Sequence, residues 1–291
     1  MELLIMPSLK LTVRGLLIAA LLAGCEESSP VEPERPASPK ILASQFDPAT
    51  CGSISGQIWW SGSPPQYPQI DGIVLQPGGK AISKQFPNPN TMRLHGSSQC
   101  VEHAIVFLEG VDPARSRPWD HAPVQIEIRQ DRIRVIQGDG EARGVGVVQA
   151  GDEVEMVARN DSANVLSARG AAFFGLAFPD PDRELRRRFD SPGLVELSSG
   201  AAKYWHRAYL WVTEHPYFAV TDEQGRFALP QVPAGEYQLI AWHPSGDIAA
   251  IDRDPNTGMV LRYHFAEPFR TSQRIRVAAG HDTSANCLLS R

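Results

Sequence analysis

The feature that most constrains this chain is the stretch from Phe218 to Ala241, where large apolar side chains recur at every second position. Phe218 and Val220, then Phe227 and Leu229, then Tyr237, Leu239 and Ala241 keep the period of strands with one buried face, because successive side chains on an extended backbone point to opposite sides. Two turn signals separate these runs. Asp222-Glu223-Gln224-Gly225 suits a type I turn closed by a left-handed glycine, and Pro233-Ala234-Gly235 suits a second turn in which proline presets φ. The expected unit is a three-strand antiparallel meander.

Other segments repeat the pattern. Gly52 to Trp60, His103 to Leu108, Val124 to Val135, Val145 to Val148 and Val154 to Ala158 read as strands, whereas Ser61 to Gly96, rich in Pro, Gly and Asn, reads as a long surface excursion. One short helix is expected over Pro181 to Phe189, with Asp180 as its cap, Pro181 in the first turn, and Asp182 and Glu184 at the positive end of the dipole. The fold class that follows is all-β, a Greek-key β-sandwich with one short helix. The ~240 residues left after the N-terminal segment are enough for one large or two fused sandwiches.

At the N-terminus, Lys10 and Arg14 precede the apolar run Leu16 to Leu22, which ends in Leu22-Ala23-Gly24-Cys25. A basic segment, a short apolar run and small residues form a secretory signal. The ending resembles the lipobox of bacterial lipoproteins. That resemblance implies a signal peptide over 1–24, lipid attachment at Cys25 and, with Glu26 rather than aspartate following, delivery to the outer membrane. Residues 25–50, rich in Pro, Ser and Glu, bury too little apolar surface to fold alone and read as a tether. Removal of 1–24 takes Glu2, Lys10 and Arg14 and moves the formal net charge from −5 to −6. Without a basic tract, nucleic acid is excluded as the expected partner; the membrane is engaged through the N-terminal lipid.

Two further resemblances concern the folded part. Phe218-Ala219-Val220-Thr221-Asp222-Glu223-Gln224-Gly225-Arg226-Phe227-Ala228-Leu229-Pro230, with Val232-Pro233-Ala234-Gly235-Glu236-Tyr237, is similar to the second half of the carboxypeptidase regulatory-like domain, a transthyretin-like sandwich. In that family the module is accessory or adhesive and carries no catalytic group. Ala104 to Gly110, Gly151-Asp152-Glu153-Val154-Glu155 with Arg159-Asn160-Asp161, and Trp205 to Tyr209 resemble the cupredoxin-like domains of exported bacterial proteins. The organisation implied is a cupredoxin-like sandwich over 51–212 fused to a regulatory-like module over 213–291.

The resemblance also implies where a copper site would lie, and the sequence departs from it there. Asn164 stands at the first histidine position, Ser198 to Gly200 at the cysteine, Lys203 at the second histidine and His206 at the methionine. A blue-copper site needs thiolate and imidazole together, and no cysteine lies between Cys100 and Cys287. No cofactor is expected. His206, His215 and His243 are the candidates for a rearranged imidazole site, weighed against strand-end histidines whose ring nitrogens hold backbone. Asp252, Asp254 and Asn256 alternate as calcium ligands do, weighed against a turn in which these side chains bond their own backbone.

In an exported chain cysteines tend to pair. Cys51 with Cys287 is the disulfide expected to clamp the terminal strands, with Cys51 to Cys100 as the rival pairing. Trp59, Trp60 and Tyr67 are the candidate binding residues for a glycan or an envelope protein, since adjacent tryptophans on a strand face opposite sides and at most one belongs to any one core, weighed against both faces being covered by the second sandwich or the long excursion. Ser198-Ser199-Gly200 lacks the preceding glycine of a nucleophile elbow, and no His-Glu-x-x-His occurs, so no enzyme is expected. The functional expectation is a non-enzymatic, lipid-anchored envelope protein acting as a structural or binding β-sandwich; the alternative is a periplasmic cupredoxin-related metal-binding or electron-transfer protein with a rearranged histidine site.

Overall fold

Alternating sequence becomes strand almost throughout. A computed structural model describes residues 45–75, 79, 81–138, 142–160, 164–200 and 203–291; the expected signal peptide, Cys25 and most of the expected tether lie outside the described residues. Residues Leu42–Arg291 cluster as one unit. Its first strands are β1 (Cys51–Trp60), β2 (Ile70–Leu75), β3 (Ala81–Phe86), β4 (Leu94–His95), β5 (Cys100–Val101) and β6 (Ile105–Glu109). The middle of the chain supplies β7 (Val124–Ile128), β8 (Ile133–Gln137), β9 (Val145–Gln149), β10 (Glu153–Ala158), β11 (Asn164–Gly170), β12 (Phe174–Phe178), β13 (Glu184–Arg188), β14 (Gly193–Ser199) and β15 (Arg207–Thr213). The last are β16 (Phe218–Val220), β17 (Arg226–Pro233), β18 (Gly235–His243), β19 (Ile248–Arg253), β20 (Val260–Phe265), β21 (Phe269–Val277), β22 (Asp282–Ser284) and β23 (Cys287–Leu289).

These strands build two sandwiches, one nested in the other. In the first, β1 pairs antiparallel with β17, parallel with β22 and β23, and at Trp59 with β5, which carries β4. Facing it is the sheet β16-β6-β18-β21, and between them lies a core that includes Ile54, Ile58, Val106, Leu108, Leu229 and Leu239. The second sandwich packs β13-β10-β7-β8 on β12-β11-β14-β15-β9 over Ile126, Val135, Met156, Leu166, Leu197 and Leu210. All of it is inserted between β6 and β16. The expected boundary between residues 212 and 213 therefore does not divide the sandwiches: β1, β5 and β6 belong with β16 to β23, because their exposed edges are completed by strands from the far end of the chain.

A third core joins the two. β6 is apolar at every position from Ile105 to Leu108, the signature of a strand buried on both faces. Val106 and Leu108 face the first core, while Ile105 and Phe107 join Ile240, Trp242, Val145, Val147 and Tyr209 at the seam. Phe107 stacks on Phe218 at 5.0 Å, and Trp211 stands edge-on to Trp242 at 5.8 Å. On the flank, the hairpins β2–β3 and β19–β20 close over Trp205 with Ile70, Val260 and Tyr263. The segment expected as an excursion thus contains a hairpin.

The all-β class of the sequence reading is the class observed, but several details are corrected. The expected helix over Pro181 to Phe189 is the edge strand β13, paired residue for residue with β10 from Glu153↔Arg188 to Val157↔Glu184. Leu185 and Phe189 are four apart, a spacing that serves a helix face and a strand face alike, and both pack on the second core. The edge of β10 took the segment, and Asp182, at φ 58°, breaks the helical entry. The turn at Asp222 is as expected, with Gly225 at φ 70° and Asp222 Oδ1 accepting from the amides of Gln224 and Arg226. The meander itself does not form: β17 pairs with β1, whereas β16 and β18 flank β6.

The expected disulfide is also absent. Cys51, Cys100 and Cys287 are free and buried. Cys51 lies opposite Pro233, whereas Cys287 lies opposite Ile58, seven residues further along β1. At ~3.3 Å per residue that is about 23 Å, far beyond the reach of a disulfide. The rival partner, Cys100, is just as distant, opposite Trp59, where its Sγ accepts from Gln57 Nε2 at 3.2 Å. Among the described residues no helix is long and apolar enough to cross a membrane.

Candidate functional site

At one end of the seam the two sandwiches part to leave a cleft. Its walls are the β5–β6 turn (Glu102, His103), the end of β18 (His243, Pro244), the β8 and β9 region (Arg132, Ile133, Arg143 to Val145), the start of β15 (Trp205, Arg207, Tyr209) and the loop Pro89 to Thr91 with Arg93. The cavity measures ≈110 Å³. Small-molecule seats favour such junctions because two rigid bodies supply converging walls that neither has alone.

The β5–β6 turn is tightly specified. Thr221, fully buried, donates from Oγ1 to the Val101 carbonyl and accepts there from the Ala104 amide at 2.8 Å, while the His103 amide donates to the Thr221 carbonyl. His103 is held at φ 60°, a left-handed conformation uncommon for a residue with a Cβ, which carries strain of order 1 kcal/mol or more. The turn projects a buried carboxylate. Glu102 is 4% exposed and is met by His95 Nε2 at 2.8 Å, His103 Nε2 at 3.2 Å and Arg93 Nη1 at 3.5 Å. Burial alone would raise its pKa, yet the His95 hydrogen bond and the charges of His103 and Arg93 hold it below the usual glutamate range.

Arg207 forms another wall. It lies between the rings of Phe265 at 4.1 Å and Tyr209 at 5.1 Å, with Nε donating to Glu196 and Nη1 to the Ser245 carbonyl, both at 3.1 Å. His243 is buried. Burial, with a smaller contribution from His103, holds its pKa down at about 4, so the ring is neutral at pH 7. Nδ1 sits 2.7 Å from the Pro244 carbonyl, which only accepts; the proton is therefore on Nδ1 and the lone pair on Nε2.

The three candidate histidines do not converge. Only His243 lines the cleft. His206 lies near the carbonyls of Gln130 and Asp131, its ring nitrogens buried without a hydrogen bond of good geometry. His215 accepts from the Tyr217 amide at Nδ1 and packs on Phe218. Among the described residues no group of three or more His, Cys, Asp and Glu is placed to hold a metal. Three of the positions at which the sequence resemblance would put copper ligands, Asn164, Lys203 and His206, lie near one another. Lys203 Nζ is 3.3 Å from Asn164 Oδ1 and 3.3 Å from Gln130 Oε1, and its charge, after burial, lowers the pKa of His206. An ammonium thus occupies the middle of the polar network.

The other candidates are dispersed. Asp254 Oδ1 accepts from the amides of Asn256 and Thr257 and from Thr257 Oγ1, closing a turn on itself, and Asp252 pairs with His264 at 2.7 Å. Trp60 is interior, edge-on to Phe269 with Nε1 bonded to the Ser63 carbonyl. Trp59 lies on the opposite face between Cys100 and Leu288, and Tyr67 packs on the first core, so the three make no shared platform. Sequence reasoning missed Glu102, Arg93, Arg143 and Arg207. The available signal was Glu102-His103, an ionisable pair interrupting the apolar run Cys100 to Leu108.

Fold and cleft together define a two-sandwich, all-β protein with a polar seat at the junction. No family model matches the chain, and no curated protein matches it. Among solved structures, a Cu(I) form of a methionine-to-glutamine mutant of amicyanin aligns with 37% of this chain and 98% of its own, at 11% identity and a TM-score of 0.24. A likeness at that level carries no argument about the site.

Proposed function

We propose that this is a non-enzymatic binding protein, lipid-anchored through Cys25 at the cell envelope, whose ligand sits in the cleft at the seam. The observation that carries the reading is the cleft itself: both sandwiches contribute buried polar side chains to it, and the β5–β6 turn holds His103 in a strained conformation to do so. Strain of this kind concentrates where a fold serves a ligand. The regulatory-like resemblance, in a family whose module carries no catalytic group, supports binding rather than chemistry. The lipobox resemblance supports the address.

Gly144 provides the test. It lines the cleft, and a Cβ built there meets nothing within 4 Å, so Gly144→Phe adds a ring at the cleft with no clash at Cβ and is expected to obstruct the seat. In a thermal-shift panel of small neutral and charged metabolites, at least one compound is expected to raise the melting temperature of the full chain in a concentration-dependent way and to leave Gly144→Phe unmoved. Equal shifts in both proteins refute the seat. For the anchor, labelled palmitate is expected on the wild type and not on Cys25→Ala; label on both refutes attachment there.

A further inference from the structure

The charges around the cleft are not equally engaged. Arg132 is tied to Asp131 at 2.8 Å, Arg207 to Glu196 at 3.1 Å and Arg93 to Glu102 at 3.5 Å. Glu102, the one carboxylate among the described residues of the wall, is itself surrounded by His95, His103 and Arg93. Arg143 alone among the lining arginines makes no ion pair among the described residues, and its Nε is buried without a hydrogen-bond partner. Tyr209 is 4% exposed and its hydroxyl likewise has no partner. A buried donor left unpaired is costly, by roughly 1–3 kcal/mol, so an acceptor brought against either group by a small shift of the wall would be favoured.

His243, which lines the same cleft, offers the complement. It presents no ring proton beyond the one given to Pro244, so its Nε2 accepts only. A ligand that satisfies these groups carries an anionic acceptor and a hydroxyl donor on a short frame. The cavity of ≈110 Å³ bounds the buried portion to a few non-hydrogen atoms, since an engineered cavity of ~150 Å³ holds benzene.

We infer that the cleft takes the carboxylate end of a small hydroxy acid, the carboxylate on Arg143 and the Tyr209 hydroxyl, the ligand hydroxyl on His243. This rests on the cleft being a ligand seat and specifies its chemistry. The guanidinium fork matches a carboxylate with two parallel hydrogen bonds, which a neutral diol does not reproduce.

The test is calorimetric titration of the full chain with sodium lactate and with propane-1,2-diol at fixed ionic strength. Lactate is expected to bind and the diol to give no measurable heat. Arg143→Gln is expected to weaken lactate at least tenfold, and Tyr209→Phe at least threefold, with Arg143→Gln melting as the wild type does because no internal ion pair is lost. Equal binding of diol and lactate, or unchanged affinity in Arg143→Gln, overturns the inference. Two results separate it from the seat on which it rests. If lactate is silent while another compound binds and is blocked by Gly144→Phe, the charge assignment alone fails. If no compound is blocked by Gly144→Phe, both fail.

Discussion

Lowering the pH from 7.5 to 5.0 is expected to destabilise this protein by on the order of 6 kcal/mol, as three buried histidines are each undercut by about 2 kcal/mol. His206, His215 and His243 all have pKa values held down from 6.5 to about 4, in each case first by burial. Lys203 adds to the effect at His206 and His103 at His243. Between those two values the unfolded chain binds protons that the folded chain refuses. The stability these rings contribute is therefore complete above about pH 7 and is lost as pH falls through 6.5 towards 4. Native domains are stable by only about 5–15 kcal/mol, so the loss is large. Glu102, with its pKa depressed, adds a loss of the same sign at lower pH, below the unfolded glutamate value of 4.5. Urea unfolding at constant ionic strength measures the effect. His206→Leu removes a ring whose nitrogens have no well-formed hydrogen bond and is expected to reduce the loss by about a third. A midpoint unchanged between pH 7.5 and 5.0 contradicts the neutral, buried histidines.

Gly56→Ala is expected to cost about 3 kcal/mol or more, while the same change at Gly144 is expected to stay within about 0.5 kcal/mol of the wild type. β1 is the strand on which the first sandwich closes, flanked by β17 and by the returning strands β22 and β23. A Cβ at Gly56 would stand 1.8 Å from the Ala285 carbonyl oxygen and 2.9 Å from Phe227 Cε1. The nearer atom is backbone, not a side chain that rotates aside, so the chain must move between β22 and β23, where the Ala285 amide donates to the Ser55 carbonyl at 2.9 Å. At Gly144 a Cβ meets open space, and alanine restricts the unfolded chain at no native cost. Denaturant midpoints of the two variants decide the matter; equal, small effects at both sites contradict the close approach of β1 and Ala285.

What was legible in the sequence follows from what period two encodes. It tells which side chains face a core, so β1, β9, β10 and the segments from Phe218 to Ala241 were found. It does not tell which edge pairs with which. Phe227 and Leu229 on one side and Tyr237 and Leu239 on the other share a core, yet they face each other across it instead of lying side by side, and nothing local distinguishes the two cases. The same gap produced the linear boundary at 212: β1 and β23 are parallel neighbours separated by almost the whole folded chain. Leu185 and Phe189 show the remaining ambiguity, a short segment whose spacing fits helix and strand until the free edge of β10 decides. The cleft was illegible for a different reason. Its residues come from six separated segments, and the local signals, His243 and the ionisable pair Glu102-His103 inside an apolar run, do not tell that these segments meet.

The central claim is that both sandwiches hold one ligand at their seam. Amide hydrogen exchange of the full chain with and without saturating lactate tests it most directly. Slowed exchange is expected together in Val101 to Ala104 of the first sandwich and in Arg143 to Val145 and Arg207 to Tyr209, which are paired neighbours in the second; all three segments line the cleft. Protection confined to one sandwich, or found away from these segments, would contradict it.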